Sequence, residues 1–299
     1  MSWTCWILLS AVFLALYDLA KKASVRDNAV LPVLLCSTLC GCAAFVGALA
    51  FGGRLGAALA ALDGRLVALG LSKAAIVAIS WIFTFSALRT LPITIATPIR
   101  ASAPALVIVL ALFLYGEVPT ALQAVGIVTV LAGYWTFSWA GRAEGIDFLR
   151  NRAVWCAVAG AVFSALSALW DKYVFQVASA PIEPVQLVFQ LGLVLVYGLC
   201  LGGRAALRRR LSGLPCHAFA FRWTIPLVGV LLAFADWLYF RGVAEPGAPI
   251  SLASLMRRLS VVITFVLGAR FFHETNLRRK ALALAAIVAG IAILCLAKT

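Results

Sequence analysis

Charged residues are scarce in this sequence, and so are histidine and methionine. Only 12% of the residues are charged, and histidine and methionine occur twice each. No HExxH, GxSxG or Walker-type motif is present, and these are patterns by which many enzymes hold a metal, a nucleophile or a nucleotide phosphate. The eight cysteines include no CxxC pair, so neither a disulfide framework nor a zinc site is indicated. We therefore expect no enzymatic activity, no cofactor and no metal site.

Apolar residues, in contrast, dominate the chain. They make up 64% of the 299 residues, and the mean hydropathy is +1.04, whereas soluble domains are about 45–50% apolar. The net charge of +14 comes without a soluble basic domain, so we expect no nucleic-acid partner. The composition predicts an integral membrane protein in which lysine and arginine carry topology information.

Ten apolar segments are long enough to cross a bilayer as helices, which takes about 17–25 residues. The links between them are short, so we predict one transmembrane domain, 1–299, without a separate extramembrane domain. The predicted fold is an all-α integral membrane protein with ten transmembrane helices at about 3–20, 31–51, 67–88, 93–115, 120–140, 153–173, 184–201, 223–240, 251–272 and 280–297.

The two halves of the chain resemble each other. "AVFLAL" at 11–16 recurs as "AVFSAL" at 161–166. Three further pairs share one larger offset: Arg100 with Arg257, Glu117 with Glu274, and Gly133 with Gly290. Five helices per copy would place the second copy upside down relative to the first, which is typical of alternating-access carriers. We predict two inverted repeats, 1–145 and 146–299, against the alternative of a coincidental likeness between apolar helices.

Two longer segments carry a family resemblance. "LRTLPITIATPIRASAPALVIVLALFLYGE" at 88–117, followed by "ALQAVGIVTVLAGY", resembles the EamA domain of the drug/metabolite transporter superfamily. "SLASLMRRLSVVITFVLGARFFHE" at 251–274 resembles a second copy of that domain. The resemblance implies a ten-helix carrier whose central cavity is lined by helices 3, 4, 8 and 9. It does not identify the substrate.

Lysine and arginine are concentrated in the loops after helices 1, 3, 5, 7 and 9. Because cytoplasmic loops carry the excess of these residues, both termini are predicted to lie outside the cytoplasm. The usual arrangement in the resembling family is the reverse, with both termini inside. The predicted location is the cell membrane, and a bacterial inner membrane in particular.

Several charged residues fall within predicted helices, where each costs at least about 2.5–3.5 kcal/mol at the bilayer centre. Arg100 and Arg257 correspond between the repeats, and arginine forms forked hydrogen bonds to carboxylates and phosphates. An interfacial position for both arginines is the alternative. We assign Arg257 to the cavity. We expect Arg258 either to pair with Asp236 or to extend its side chain to the membrane interface. The predicted substrate-binding residues are Arg100, Arg257, Lys73, Ser102, Ser260, Trp81, Trp237 and Tyr239.

A second set of charged residues lies mainly near predicted helix ends. Glu117 and Glu274 each precede a helix, where a carboxylate can cap the helix or act as a gate. Asp171 and Lys172 end helix 6, where we expect an interfacial pair. Gln186 and Gln190 present amides either to the cavity or to a neighbouring helix. The residues predicted to serve coupling or gating are Asp236, Asp18, Lys22, Lys172, Glu117 and Glu274.

The sequence thus predicts a carrier of a small carboxylate- or phosphate-bearing metabolite, driven by a gradient. One alternative is a flippase for a lipid-linked phosphate or sugar, and another is a membrane scaffold or enzyme subunit that does not transport. The expected partners are a small-molecule substrate and membrane lipids, in a monomer or homodimer.

Overall fold

The computed structural model describes residues 2–25, 28–90, 103–139, 152–210, 219–260, 263 and 277–296. Within these ranges every regular element is helical. The helices are α1 (Trp3–Val25), α2 (Val30–Phe51), α3 (Leu55–Ala60), α4 (Gly64–Thr90), α5 (Ala103–Tyr115), α6 (Ala121–Trp139), α7 (Arg152–Lys172), α8 (Ile182–Arg210), α9 (Thr224–Ala244), α10 (Ile250–Met256) and α11 (Leu277–Leu296).

Six of these helices are long and apolar enough to cross a membrane: α1, α2, α4, α7, α8 and α9. Three shorter apolar helical stretches, Ala103–Tyr115, Ala121–Gly133 and Ala285–Leu294, add to them within the described residues. The protein is therefore a multi-pass membrane protein, and its described elements are all helical, as the composition predicts. That the chain crosses the membrane ten times stays a prediction.

Helix boundaries differ from the predicted ones in two instructive places. Residues Tyr173–Val177 continue α7 as a π-helical turn, so Asp171 lies inside a helix instead of at its end. The predicted span 251–272 is interrupted early, because α10 ends at Met256 and a turn holds Arg257 and Arg258 before residues 259–260 become helical again. Both irregularities involve charged side chains, and both kinds of irregularity occur frequently at functional sites.

The helices pack in pairs taken from opposite halves of the chain. The most extensive pairs are α1 with α9, α6 with α11, and α4 with α7. The main core is a continuous cluster of buried apolar side chains that includes Tyr197, Phe240, Leu255 and Met256. Each of the three pairs therefore joins an element of residues 1–145 to an element of residues 146–299.

Glycine permits one very close helix crossing, between α2 and α9. A Cβ atom at Gly229 would lie 1.8 Å from the backbone oxygen of Ser37, and one at Gly41 would lie 2.6 Å from the backbone oxygen of Gly229. Small residues at such crossings let helix backbones approach each other in a membrane, where van der Waals packing drives helix association. The crossing holds the α9 segment that carries Asp236 and Tyr239 against the α2 side of the bundle.

Candidate functional site

A cavity of about 190 Å³ lies between residues of α1, α4, α5, α7, α8, α9 and the end of α10. This volume is below that of the usual sites for drug-sized ligands, about 300–1,000 Å³. Its described wall contains seven charged side chains, the cations Lys21, Lys73, Arg257 and Arg258 and the carboxylates Asp18, Asp171 and Asp236. A small, strongly polar cavity thus lies in an otherwise apolar bundle.

Arg257 enters this cavity where the helix is broken. Its backbone N–H still bonds to Ala253, whereas the N–H of Arg258 bonds to Leu255, three residues back. This tightening of the last turn lets the Arg257 side chain reach α9, where its Nη2 atom donates to Oδ1 of Asp236 at 2.5 Å. Its guanidinium carbon also lies 4.1 Å from the centre of the Tyr239 ring, within the range of a cation–π contact.

The surroundings of Arg257 leave part of its hydrogen-bonding capacity unused. The Arg257 and Asp236 side chains are 19% and 13% exposed, so the cavity reaches both. The Nε atom of Arg257 is buried and has no hydrogen-bond partner. A guanidinium has five N–H donors in a planar fork, and the exposed part of this one can bond to a carboxylate or phosphate that enters the cavity.

Lys73 occupies a more enclosed position in the cavity wall. Its Nζ atom forms an ion pair with Asp171, and the two side chains are only 3% and 4% exposed. The same ammonium lies 4.9 Å from the ring centre of Phe189 and 4.7 Å from that of Phe240. Lys73 is therefore already matched by one carboxylate and two aromatic rings.

A second polar cluster lies outside the cavity lining, where α5 ends and α10 begins. Lys172 donates to the Glu117 carboxylate at 2.5 Å, and so does the hydroxyl of Ser251. The backbone N–H groups of Ile250 and Ser251 donate to the same carboxylate at 2.8 and 3.0 Å. We call this set of four residues the Glu117 clasp. It joins the loop after α5 to the beginning of α10 and to the end of α7.

The Glu117 clasp keeps its carboxylate ionised. Burial alone would raise the pKa of Glu117, but the hydrogen bonds from Lys172, Ser251 and Ile250 outweigh it and hold the pKa below its ordinary value. Because the pKa is lowered, the clasp contributes its full stabilisation at pH values above the ordinary pKa of a glutamate. That contribution is lost as the pH falls through the lowered pKa, so the clasp is intact at neutral pH.

A neighbouring glutamine ties the same end of the bundle together. The side-chain amide of Gln176, in the π-helical turn, donates to the backbone oxygens of Val243 and Ala248 at 2.7 and 2.8 Å. The first oxygen belongs to the last turn of α9 and the second to the connection between α9 and α10. Together with the Glu117 clasp, Gln176 therefore fixes the start of the helix that leads to Arg257.

The predicted site residues divide into four groups, and the first of them, Glu117 and Lys172, belongs to the Glu117 clasp. Lys73, Trp81, Asp18, Asp236, Tyr239, Arg257 and Ser260 line the cavity. Trp237 is absent from the described lining and instead contacts Trp6 and Arg241. Arg100, Ser102 and Glu274 lie outside the described residues, as does the side chain of Lys22.

Some predicted partners were wrong or took one of the alternatives. Asp236 pairs with Arg257 and not with Arg258, because Arg257 is the residue that the helix break directs toward α9. Glu117 caps α10, in the other half of the chain, instead of the helix that follows it. The side-chain amide of Gln186 donates to the backbone oxygen of Ala233 at 2.8 Å. Of the two predicted alternatives, Gln186 therefore bonds to a neighbouring helix.

Sequence reasoning missed the depth of Asp171 and the polar face to which it belongs. Ser164, Ser167 and Asp171 all line the cavity, and their spacing of three and four residues is that of one helix face. That spacing was visible in the sequence. The π-helical continuation beyond Lys172 was not, and it is what moves Asp171 from the predicted interface into the bundle.

Comparison with known proteins supports the family assignment. Residues 1–139 match the model of the EamA-like transporter family, which confirms the resemblance predicted for the segment 88–117. The second copy at 251–274 stays a prediction. A protein of known crystal structure aligns over 99% of this chain and 99% of its own length, with a TM-score of 0.76 and 20% sequence identity. At that identity the likeness shows the fold alone. A search of curated proteins finds no match to the chain.

Proposed function

Because the chain carries an EamA-like transporter domain, we propose that it is a secondary or facilitative carrier in the drug/metabolite transporter superfamily. Its substrate is a small metabolite that bears a carboxylate or a phosphate. The observation that carries the proposal is Arg257, a cation at a helix break inside a small membrane cavity. Discontinuous helices commonly form the substrate sites of secondary transporters.

The choice of an anion follows from the charges of the cavity wall. Four cations and three carboxylates line its described part, and the most enclosed cation, Lys73, is matched by Asp171. The Arg257 side chain remains partly exposed to the cavity. Charge-assisted bonds from a planar guanidinium are strongest with carboxylates and phosphates, so these groups suit the cavity best.

Alternating access between inverted repeats is the proposed mechanism, and the helix pairing supports it. If α1 corresponds to α7 and α4 to α9, then exchanging the two halves turns the pair α1–α9 into the pair α7–α4. Both pairs occur in the structure. If α2 likewise corresponds to α8, the same exchange turns the pair α2–α9 into the pair α8–α4, and these two pairs also occur. Such a pairing is expected of two copies related by a two-fold axis, and two inverted repeats around one central site are one such arrangement.

In this mechanism the Glu117 clasp closes the cavity at one end. It connects three elements from both halves through one carboxylate, and it lies at the beginning of the helix that carries Arg257. With the orientation predicted from the positive charges, this end faces away from the cytoplasm. We place the protein in the cell membrane on the same grounds.

Removal of the Glu117 carboxylate should open this end more often. In Glu117→Ala protein we expect about tenfold faster labelling of an introduced Ser164→Cys thiol by a membrane-impermeant maleimide. A tenfold change equals about 1.4 kcal/mol, within the cost of about 1–3 kcal/mol for losing a buried hydrogen-bond partner. The label is applied separately to right-side-out and inside-out vesicles of a variant whose native cysteines are replaced.

The matched control for this experiment is Glu183→Ala. Glu183 begins α8 at the same end of the bundle and pairs with Arg54 and Arg241 at 3.2 and 3.3 Å, but it is absent from the described cavity wall and from the clasp. Exposed pairs of this kind contribute little, so its loss should leave the labelling rate unchanged. Equal rates in Glu117→Ala and wild-type vesicles on both faces would show that Glu117 is a helix cap without a gating role.

A further inference from the structure

Asp236 occupies the place at Arg257 that a substrate anion needs. Its Oδ1 atom accepts from Nη2 of Arg257 at 2.5 Å, and both side chains border the cavity. A carboxylate of the protein thus makes the same contact that the proposed substrate would make. A guanidinium has five N–H donors but only one positive charge, so Arg257 can neutralise only one of these two anions at a time.

We propose that Asp236 pairs with Arg257 when the cavity is empty and binds a proton when a substrate anion displaces it. Each anion is then carried together with one proton. This inference rests on the proposed anion site and adds the identity of the coupling ion and of the residue that carries it. In the empty protein Arg257 is positive and Asp236 is negative. In the loaded protein Arg257 pairs with the anion and Asp236 is neutral.

The surroundings of Asp236 explain why it takes up a proton after displacement. Its side chain is only 13% exposed, and an ionised carboxylate without a counter-ion is costly in such a place. Asp171 on α7 interacts with it electrostatically as a like charge. Lys73 on α4 is already paired with Asp171. Displacement therefore leaves Asp236 next to a second carboxylate, and protonation removes the repulsion.

Other titratable groups also face this part of the cavity. Tyr239 lies on the same helix as Asp236, α1 contributes Tyr17, Asp18 and Lys21, and Arg258 follows Arg257. Helix α8 contributes Phe189 and no titratable side chain to the described lining, and α2 contributes nothing to it. If Lys21 or Arg258 moved to Asp236 on substrate binding, no proton would be needed. The proposal therefore makes a prediction that distinguishes the two cases.

The charge balance of the step is complete. One anion and one proton enter from one side, and both leave on the other side when Asp236 returns to Arg257. Transport of a monoanion is then electroneutral, whereas a dianion carries one net negative charge across the membrane. The proton and the anion move in the same direction, so a proton gradient drives the anion toward the more alkaline side.

The test measures the Kd of two simple probes, acetate and sulfate, for purified wild-type protein between pH 6 and pH 8. Tryptophan fluorescence is a suitable signal because Trp81 lines the cavity. Neither probe changes its own charge in this range. If one proton is bound with each anion, the Kd of the bound probe should rise about tenfold per pH unit.

Three variants complete the experiment. Asp236→Asn should bind the probe with a Kd that does not depend on pH and that is lower than the wild-type value at pH 8. Asp18→Asn changes another carboxylate in the cavity wall, and its Kd should rise with pH as steeply as that of the wild type. Arg257→Gln should bind the probe about a hundredfold more weakly than the wild type. The midpoint of thermal unfolding checks that each variant is folded.

The outcomes separate this inference from the function on which it rests. Binding to the wild type with a pH-independent Kd would overturn proton coupling and leave the anion site standing. If the pH dependence of the Kd is lost in Asp18→Asn but kept in Asp236→Asn, then Asp18 and not Asp236 binds the proton. That result would also overturn the proposal. Loss of binding in folded Asp236→Asn would show that Asp236 assists the anion instead of competing with it. Absence of binding of both probes to the wild type would overturn the anion site and the inference together.

Discussion

Arg257→Gln protein should bind small anions about a hundredfold more weakly than the wild type. Removing one partner of a desolvated, charged hydrogen bond costs about 2–5 kcal/mol, and a hundredfold loss corresponds to about 2.7 kcal/mol. Glutamine is polar but shorter than arginine, and it has no positive charge and no planar fork of five donors. The Kd for acetate or sulfate at pH 6, measured on purified protein, checks the prediction.

Two controls make the result on Arg257 specific. Arg241→Gln removes an arginine of α9 itself. This arginine contacts the Trp237 ring and Glu183, and it is absent from the described cavity wall. We expect that variant to bind normally. Because Arg257→Gln leaves Asp236 without its partner, the double variant with Asp236→Asn removes both charges and restores stability. Normal binding by folded Arg257→Gln protein would exclude Arg257 as the anion contact.

Lys73→Met should destabilise the protein by about 3–5 kcal/mol, the usual cost of leaving one member of a buried ion pair without the other. Lys73 and Asp171 are the most enclosed charged pair in the described cavity wall, at 3% and 4% exposure. Methionine fills much of the space beside Phe189 and Phe240, so the loss of charge is the main change. Unfolding in mixed detergent micelles, followed by circular dichroism, measures the free energy.

The double variant Lys73→Met with Asp171→Asn tests the physical reason. Without the aspartate charge, no uncompensated ion is left in the bundle, and we expect most of the lost stability to return. If the single and double variants are equally unstable, the packing of the lysine stem against the aromatic rings is what matters. If Lys73→Met is as stable as the wild type but no longer binds anions, Lys73 is a substrate contact, as the sequence alone predicted.

The long helices could be predicted because the bilayer imposes a simple length and composition rule. Helices α1, α2, α4, α7, α8 and α9 all contain the apolar segments recognised in the sequence. Their ends were less predictable, since α8 runs to Arg210 through residues too polar for a hydropathy rule. Helix α3 was missed because six residues of the connection between α2 and α4 form too short an apolar stretch to be distinguished from a loop.

The site was predictable only in part, and for a definite reason. An arginine in the middle of an apolar segment is costly, so Arg257 attracted notice without any structure. Its partner could not be chosen, because Arg257 and Arg258 are adjacent and the break that separates their directions depends on contacts made by distant helices. The Glu117 clasp joins positions 133 and 134 residues apart in the chain, and no local pattern carries such information.

Trp237 illustrates the opposite error. It was predicted to be a substrate-binding residue. Consecutive residues of a helix point about 100° apart, however, and Tyr239 and Asp236 take the face that borders the cavity. Trp237 consequently packs against Trp6 at a ring-centre distance of 6.3 Å.

Ligand-dependent stabilisation of the purified protein tests the central claim most directly. The thermal unfolding midpoint is measured with amino acids, sugar phosphates, nucleotides, lipid phosphates and neutral sugars, each in wild-type and Arg257→Gln protein. A ligand present at a hundred times its Kd stabilises the folded state by about 2.7 kcal/mol. We predict that a small water-soluble carboxylate or phosphate raises the wild-type midpoint and leaves that of Arg257→Gln unchanged. Stabilisation by lipid phosphates alone would favour a flippase, and stabilisation by neutral compounds alone, equal in both proteins, would contradict an anion carrier built around Arg257.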